Sequence, residues 1–567
     1  MERASEYKLS FPQHELADRL VDAYFERVHV LYPFVHEGRF RARYERLWAD
    51  NPGDAVRPTA WLAIVNLIFA YGHEFCATHQ VSFAAQAAPF IDRARALLLS
   101  RVFRGADLQL VQALLLLCHY LQGTLQLDEC WNLVGLMIRS AVSIGLHLDP
   151  GSDGSLSAVD VEERKRVWWG CFVLDRTLSM KFGRPPSIQF ESARDVGLPL
   201  EVDDQYISET SLIPRQPWGR PARLAFFIHT IKLSEVVDNI LSGMYDTGRA
   251  SRELSNQKLW WARSPEASTR LGNAVLLDGQ LRAWWDSRPA HLKDELSPPN
   301  GKELQCQQLV MRIRFLQMRL LLQRPSFMLF RQNKIDDEFL RGVALSSSRV
   351  CVAAARETIR LIHLHYDKQL LNSLWYNLHC KWLTSTQPQQ RTRTDGLTVA
   401  DIFTSLGVLV TVQTMEASLK EQLSSVEDAQ ALHCGMEFLR SASRNSILAS
   451  RYISMLSKPN KTPRAQSPNR SDHILQSQEQ GQRSELNNGS IGTAVGNEEI
   501  PATDTSVVAQ NGVQPQLSEQ DGLDGVYDDL DFAHLDSMYL YDLLFGTGLP
   551  QEVLSTDWPT SEIMIQQ

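Results

Sequence analysis

Paired cysteines are missing from this sequence, and their absence excludes several classes of site. The eight cysteines all stand apart, with no C-x-x-C pair anywhere in the chain: Cys76, Cys118, Cys130, Cys171, Cys306, Cys351, Cys380 and Cys434. A zinc finger or a dithiol redox motif needs closely spaced cysteines, so neither is encoded here. Most of these cysteines lie in apolar, helix-like contexts, where a free cysteine behaves as a small hydrophobic residue.

Long apolar runs and an excess of positive charge are also missing. The longest apolar run, residues 110–121, contains Gln112 and His119 and is too short to span a membrane. Residues 1–11 are polar and charged, so we expect no signal peptide. The formal net charge of −9 argues against a chain that wraps nucleic acid by itself. These features predict a soluble intracellular protein.

Motifs of the common enzyme classes are absent as well. The sequence contains no G-x-S-x-G, phosphate-binding or dinucleotide-binding pattern. His73 and His79 are six residues apart, whereas a zinc-protease helix places its two histidines four apart on one face. His73, Cys76 and His79 could share a broader face, but ordinary core and surface roles are favoured. We therefore expect no enzyme, and we identify no catalytic, cofactor-binding, metal-binding or DNA-contacting residue.

Apolar residues recur at helical spacing through most of residues 1–456, and strand-like alternation is rare. The sequence therefore predicts an all-α fold, a large array of helices. Residues 184–219, rich in proline and acidic residues, are predicted to be non-helical. The predicted helices are 11–48 with a break at Tyr32-Pro33, 61–79, 84–102, 108–125, 130–147, 221–244, 271–285, 304–322 and 342–371.

One stretch, residues 164–188, is predicted to lie within a long core helix with marked ends. Ser157 and Asp160 have the spacing of a capping box at its start. Gly183 can adopt the left-handed conformation that ends a helix, and the two prolines that follow prevent continuation. The two adjacent tryptophans point in different directions, so burial on more than one side is expected. The predicted apolar positions are Val167, Trp168, Cys171, Phe172, Leu174 and Leu178.

Charged residues of this helix are interpreted as structural. Glu162 and Arg166 are four residues apart and can pair on one face. Asp175 and Arg176 lie among apolar residues; either they bind an effector, or each pairs with a neighbouring helix, which we favour because buried charge needs a partner. Arg184 is expected to anchor a loop. Packing, not ligand binding, is expected of the tryptophan pairs Trp168-Trp169, Trp260-Trp261 and Trp284-Trp285.

The same helix carries a family resemblance. A basic cluster followed by Val167-Trp168-Trp169, Leu174-Asp175-Arg176 and Gly183-Arg184-Pro185 resembles the middle homology region of fungal zinc-cluster transcription factors. Leu148 stands where that family usually has arginine. The resemblance covers roughly residues 11–455 and implies a regulatory domain that governs activator output through inducer or partner binding. Further segments agree in order: 17–40, 131–149, 202–207 and 320–327.

The DNA-binding module of that family, six closely spaced cysteines holding two zinc ions, is not in this sequence. We therefore expect no zinc cofactor in this chain and no direct DNA recognition by it. Either an N-terminal exon has been lost from the gene annotation, or the protein works through a DNA-binding partner. A second class of function is a coregulator or decoy without DNA contact that dimerises with full-length zinc-cluster factors.

Residues 380–401 interrupt the helical pattern with polar, unpatterned sequence. We interpret this segment as a translated intron, with a genuine surface loop as the alternative. Cys380-Lys381 can be encoded TGTAAG, which contains a donor sequence, and Val399-Ala400-Asp401 can be encoded with an acceptor AG. Splicing would then join His379, a tyrosine and Ile402.

The C-terminal part changes composition twice. Residues 457–520 are rich in Ser, Asn, Gln, Pro and Gly and are predicted to be a disordered linker. A weak basic patch at 458–464 could assist nuclear import, although a solvated linker is favoured. Residues 521–567 interleave aspartates with large apolar residues, the composition of acidic activation segments. The alternative for this tail is a terminal helix that docks on the core.

Together these features predict a fungal regulator of RNA polymerase II genes that acts in the nucleus. The helical regulatory domain, residues 1–456, would control the output of the acidic segment, residues 521–567. The expected partners are a coactivator or the transcription machinery, a zinc-cluster factor as a dimer partner, and a small-molecule inducer. DNA would be reached only indirectly or through a missing N-terminal module, and no membrane is involved.

Overall fold

The computed structural model describes residues 11–48, 58–76, 83–123, 126–152, 154–211, 213–245, 265–293, 301–333, 335–365, 397–443 and 447–457. Within these ranges the regular structure is helical throughout and no strand is present, which confirms the all-α prediction. No helix in these ranges is long and apolar enough to cross a membrane. All of the described residues belong to one compact unit.

The first half of the array runs from α1 to α8. Helix α1 continues directly into a π-helical turn, Phe25–His29, and a 3-10 turn, Asp204–Tyr206, follows α8. The helices are α1 (His14–Tyr24), α2 (Glu37–Glu45), α3 (Thr59–Cys76), α4 (Phe83–Leu99), α5 (Leu108–Gly123), α6 (Leu127–Ser143), α7 (Ala158–Phe182) and α8 (Phe190–Arg194).

The second half runs from α9 to α16. Helix α9 also ends in a π-helical turn, Leu241–Tyr245. The helices are α9 (Ala225–Ile240), α10 (Pro265–Asp286), α11 (Lys302–Arg331), α12 (Glu338–His365), α13 (Leu397–Gln413), α14 (Ala417–Leu423), α15 (Glu427–Ser443) and α16 (Ile447–Ser457). Helices α11 and α12 pack along each other, and α13 packs on α12.

Helix α7 has the ends and the burial that its sequence predicts. The Ser157 hydroxyl accepts from the Asp160 amide while the Asp160 carboxylate accepts from the Ser157 amide, a complete capping box. Gly183 ends the helix at φ 59°, in the left-handed region that favours glycine. Trp168 and Trp169 are both buried. The helix therefore lies inside the array, with packed neighbours on more than one side.

Two boundary predictions are wrong. Residues 184–219, predicted to be non-helical, contain the five-residue helix α8 and a 3-10 turn. Helix α11 was expected to end near residue 322 but runs through Pro325 to Arg331. Proline lacks the N–H that would bond the carbonyl four residues earlier. Here the Tyr245 hydroxyl donates to that carbonyl, Leu321 O, at 2.6 Å, and so replaces the missing bond.

Several predictions fall outside the described residues. They concern Trp260-Trp261, most of the 380–401 segment, the linker 457–520 beyond its first residue, and the acidic tail 521–567. Helix α13 begins at Leu397, within the proposed intron, so that Asp401 belongs to the described part of the chain. The intron hypothesis stays a prediction.

Candidate functional site

Helix α7 carries a buried cluster of charged residues in its N-terminal half. Arg166 donates from Nη1 to Asp204 Oδ1, and its Nε lies 3.9 Å from Glu162 Oε2, the pair expected from their spacing. Asp204 Oδ2 also accepts from the Glu37 amide at 2.7 Å. Burial alone would raise the pKa of Asp204, but the Arg166 guanidinium holds it well below its usual range. The Arg166 guanidinium therefore lies between two carboxylates, and its charge stabilises both of them.

Glu163 extends this cluster to helix α2 and helix α5. Its Oε2 accepts from Arg39 Nη1 at 2.8 Å, and its Oε1 accepts from the His36 amide at 3.1 Å. Gln112 of α5 donates from Nε2 to Glu163 Oε1 at 3.3 Å and to the Phe34 carbonyl at 2.9 Å. These bonds hold the chain between α1 and α2 against α7, so we assign the cluster a structural role. We call the set Arg39, Gln112, Glu162, Glu163, Arg166 and Asp204 the ion-pair cluster.

Asp175 and Arg176 lie farther along α7. Arg176 pairs with Asp238 of α9 at 2.6 Å, as predicted, and also donates to the Ile188 carbonyl at 2.7 Å. Asp175 does not pair with a neighbouring helix, which corrects the expectation. Its carboxylate accepts from the backbone amides of Ser187 and Ile188, both at 3.0 Å, because the loop after α7 folds back along the helix.

The other predicted packing residues are also engaged in contacts. Arg184 lies over the Trp131 ring of α6 at 4.9 Å, as expected of a loop anchor. Trp284 is buried, and its indole N–H donates to the His229 carbonyl at 3.0 Å. Trp285 stacks on Phe315 with the ring centroids 4.4 Å apart. None of these described aromatic residues forms an open cage.

A partly open cavity of about 130 Å³ lies beside the C-terminal half of α7. It is bounded by α5, α7, α9, α11 and α13, together with Tyr32 from the segment after α1. Five apolar side chains form much of its wall: Val173, Met180, Leu233, Val237 and Met318. The polar and charged lining residues are Tyr32, His119, Gln122, Arg176, Thr177, Lys181, Thr230, Ser234, Arg314, Gln317 and Asp401.

Gln122 is a buried polar side chain of this cavity that forms no hydrogen bond. It is 1% exposed, and neither Nε2 nor Oε1 has a hydrogen-bond partner. A buried amide without a partner is destabilising by about 1–3 kcal/mol. Across the cavity, Arg314 donates to the Thr230 and Tyr32 hydroxyls, each at 2.8 Å. The cavity therefore combines apolar walls with an amide, cationic side chains and the Asp401 carboxylate.

Burial shifts the pKa values of three side chains that line the cavity. It lowers the pKa of His119 to about 3, and the nearby Arg314 and Lys181 act in the same direction, so the imidazole is neutral. Burial also lowers the pKa of Lys181 and raises that of Asp401, while the attraction between these two groups opposes both shifts. A Gln317 side-chain hydrogen bond further favours the Asp401 carboxylate.

Possible metal ligands do not converge in the described part of the chain. There, no group of three or more His, Cys, Asp or Glu side chains could hold a metal ion. His73 stacks on the Phe90 ring, with centroids 5.2 Å apart. His79 and the Cys76 side chain lie outside what the structure describes, so the three-residue pattern of the sequence stays untested.

Sequence reasoning missed the cavity because its residues come from six separate parts of the chain. Tyr32 and Asp401 are far apart in sequence, and no local spacing links them to Gln122 or Arg314. One signal was present: Gln112 and His119 interrupt the apolar run 110–121. On α5, Gln112 belongs to the ion-pair cluster and His119 lies in the cavity wall.

The chain is similar to known fungal proteins across this helical region. Residues 21–286 match the family described as fungal specific transcription factor domain. Transcription factor FBD3 of Gibberella moniliformis is 26% identical over 391 residues, which cover 65% of this chain and 49% of that protein. Activator of stress genes 1 of Saccharomyces cerevisiae is 24% identical over 383 residues, which cover 65% of this chain and 37% of that protein.

A third relative is the ABC-transporter-regulating transcription factor of Aspergillus fumigatus. It is 28% identical over 287 residues, which cover 50% of this chain and 30% of that protein. The chain thus spans about half or less of the length of these curated relatives. Two of these relatives are named as transcription factors and the third as an activator of genes.

Proposed function

We propose that this chain regulates transcription in a fungal nucleus, because residues 21–286 match the family described as fungal specific transcription factor domain. The family match is the main support for the proposal, because the matched residues include helices α2 to α10, the whole ion-pair cluster and most of the cavity lining. Relatives named as transcription factors support it. The helical array acts as the regulatory domain, and the acidic tail, residues 521–567, acts as the activation segment. Its aspartates, interleaved with aromatic and aliphatic residues, have the composition of acidic activation segments, which coactivator grooves bind.

DNA is reached through a zinc-cluster module that this sequence does not supply. The eight separated cysteines cannot hold the two zinc ions that the family cluster needs. The module belongs either to a partner chain or to a segment outside this sequence. The array would then transmit the state of a bound partner or inducer to the tail.

A tethering experiment tests this function. The whole chain is fused to an unrelated DNA-binding domain, and transcription of a reporter gene carrying its sites is measured. We expect activation that is lost when residues 521–567 are removed. The matched control removes residues 457–520 and keeps the tail, which should preserve activation. A fusion that accumulates in the nucleus without changing reporter transcription would refute the proposal.

The coregulator is a second candidate, favoured by the lack of a six-cysteine cluster in the sequence. Such a protein would dimerise with an intact zinc-cluster factor and change its output. Purification of the tagged chain from fungal nuclei should then recover that factor in a stable complex. A strictly monomeric chain that activates when tethered would argue against this second candidate.

A further inference from the structure

We propose that the cavity beside α7 binds a small neutral carboxamide or lactam with a compact apolar body. The Gln122 side chain would form two hydrogen bonds with the amide group of the ligand, and the apolar wall residues would contact its body. This ligand site goes beyond the proposed function and depends on that function only for the consequence of binding.

The Gln122 side chain determines which polar group the ligand carries. It lines the cavity, is 1% exposed, and neither Nε2 nor Oε1 has a hydrogen-bond partner in the protein. Nε2 can only donate and Oε1 can only accept, so a ligand that satisfies both atoms must present an acceptor beside a donor. A carboxamide or a lactam has this arrangement, whereas a ketone or a carboxylate lacks the donor. Two paired bonds would therefore satisfy both atoms of the buried amide.

The charged side chains of the cavity lining do not require a charged ligand. Arg176 pairs with Asp238 of α9 at 2.6 Å, and Arg314 donates to two hydroxyl groups, each at 2.8 Å. Lys181 and Asp401 attract each other, which favours the charged form of both. These four lining groups therefore already interact within the protein. A charged ligand would lose its hydration on entering the cavity, so a neutral ligand is favoured.

The size of the cavity limits the size of the ligand. Its volume of about 130 Å³ is close to that of an engineered apolar cavity, about 150 Å³, that accepts benzene. The cavity is partly open, so a small molecule can reach it from solvent. Small-molecule sites typically combine apolar walls, here including Val173, Leu233 and Met318, with a few polar groups that fix orientation. An aromatic or branched aliphatic amide of fewer than about ten heavy atoms would fit.

The position of the cavity connects ligand binding to the proposed function. Its walls come from α5 and α7 in the first half of the array and from α9, α11 and α13 in the second. A bound amide would contact both halves at once and favour one packing of them. Binding energy could change regulatory output only to the extent that it differs between two packings.

Calorimetric titration of the purified full-length chain tests the proposal with two pairs of neutral probes. Each pair consists of an amide and the ketone in which a methyl group replaces the NH₂ group: benzamide with acetophenone, and isovaleramide with 4-methyl-2-pentanone. We expect saturable binding of at least one amide, with its ketone at least about tenfold weaker, equivalent to about 1.4 kcal/mol. The ketones are the more apolar compounds, so apolar contact alone would favour them.

Two outcomes of this titration would overturn the proposal. A cavity that holds only solvent would give no saturable binding of either amide. A site that selects by apolar contact alone would bind each ketone as tightly as its amide or more tightly. Both outcomes are measured on the wild-type chain and do not depend on the folding of any variant.

Variants of α5 test whether Gln122 is the source of the amide preference. Gln122→Leu should reduce amide affinity about tenfold and bring each amide close to its ketone in affinity. Its matched control is Gln109→Leu on the same helix, because Gln109 lines a different cavity, near α2 and α3. The control should keep the wild-type preference for amides. A preference that survives in Gln122→Leu, or disappears equally in both variants, would contradict the assignment.

Two further variants keep the test decisive if Gln122→Leu fails to fold, as judged by circular dichroism. Gln122→Met, an unbranched apolar replacement, should also lose the preference for amides. Val237→Phe places a larger side chain in the cavity wall and should weaken amide and ketone binding alike, at least about tenfold. Unchanged binding by a folded Val237→Phe would contradict the location of the site. Because titration does not use transcription, a failed tethering experiment with intact amide binding would refute the proposed function alone.

Discussion

The ion-pair cluster and the cavity beside α7 both contain buried polar side chains, yet they differ in how completely these side chains are satisfied. In the ion-pair cluster, Arg166 faces Asp204 and Glu162, and each carboxylate has additional donors. Two Arg166 nitrogens make no hydrogen bond there, but opposite charges surround them. In the cavity, neither polar atom of the Gln122 side chain forms a hydrogen bond. The difference shows that burial of a polar group does not by itself ensure a hydrogen-bond partner.

Breaking the ion-pair cluster should have the largest effect. Arg166→Met leaves Asp204 and Glu162 buried without their cation, which should lower the free energy of unfolding by about 3–5 kcal/mol. Urea denaturation followed by circular dichroism measures this change. The control is Arg360→Met, since Arg360 is exposed and pairs with Glu357 on the surface. It should change stability by less than about 1 kcal/mol. Similar losses in both variants would remove the distinction between buried and surface pairs.

Helix α5 contributes residues to the ion-pair cluster and to the cavity lining. A substitution at Gly170, where α7 contacts α5, should have the next largest effect on stability. A Cβ atom at Gly170 would lie 2.6 Å from Phe34 Cε1 and 2.7 Å from Leu115 Cδ2. Gly170→Ala should therefore destabilise the protein by about 1–3 kcal/mol. At Gly135 of α6 a Cβ would meet nothing within 4 Å, so Gly135→Ala should stabilise by up to about 1 kcal/mol. Thermal unfolding of both variants checks the contrast, and a neutral Gly170→Ala would contradict the close approach.

The stability changes caused by His119 in the cavity and by Asp204 in the ion-pair cluster should occur in different pH ranges. Burial lowers the pKa of His119 to about 3 from 6.5. Between these two pH values His119 is therefore protonated in the unfolded chain but neutral in the folded protein. Stability should therefore fall from about pH 6.5 downward, by up to about 1.4 kcal/mol per pH unit. For Asp204, burial favours the neutral acid but Arg166 outweighs it, and the lowered pKa stabilises the fold above about pH 3.8. That contribution is lost only as the pH falls further.

The variant that isolates the cavity in this titration is His119→Gln. Between pH 6.5 and 4.5 it should lose about 2 kcal/mol less stability than the wild type does, because glutamine takes up no proton. Urea denaturation at pH 6.5, 5.5 and 4.5 measures the difference. A difference between wild type and variant that stays constant over this interval would show that the histidine does not titrate as described.

Local sequence signals predicted the ends and the faces of α7 well. The Ser157 capping box, the left-handed Gly183 and the Glu162–Arg166 pair each depend on residues within one or two helical turns. Such features need no knowledge of tertiary structure. The passage of α11 through Pro325 was not predictable in this way, because the donor that replaces the missing N–H is Tyr245, far away in sequence.

The candidate site could not be predicted from spacing for the same reason. Asp204 is 38 residues from Arg166 along the chain, and their pairing is fixed only when the loop after α8 packs on α7. The cavity brings Gln122, Lys181 and Arg314 together from three helices. A sequence pattern shows that a glutamine interrupts an apolar helix, but only packing decides whether that amide finds a partner.

The stability of Gln122→Leu, measured by urea denaturation of the purified full-length chain, most directly tests the claim that the buried Gln122 amide has no hydrogen-bond partner. Leucine removes an unsatisfied amide from the interior, so the free energy of unfolding should stay the same or rise by up to about 2 kcal/mol. Loss of more than about 1 kcal/mol of stability would contradict the account, because it would show that the Gln122 amide makes a hydrogen bond that stabilises the fold.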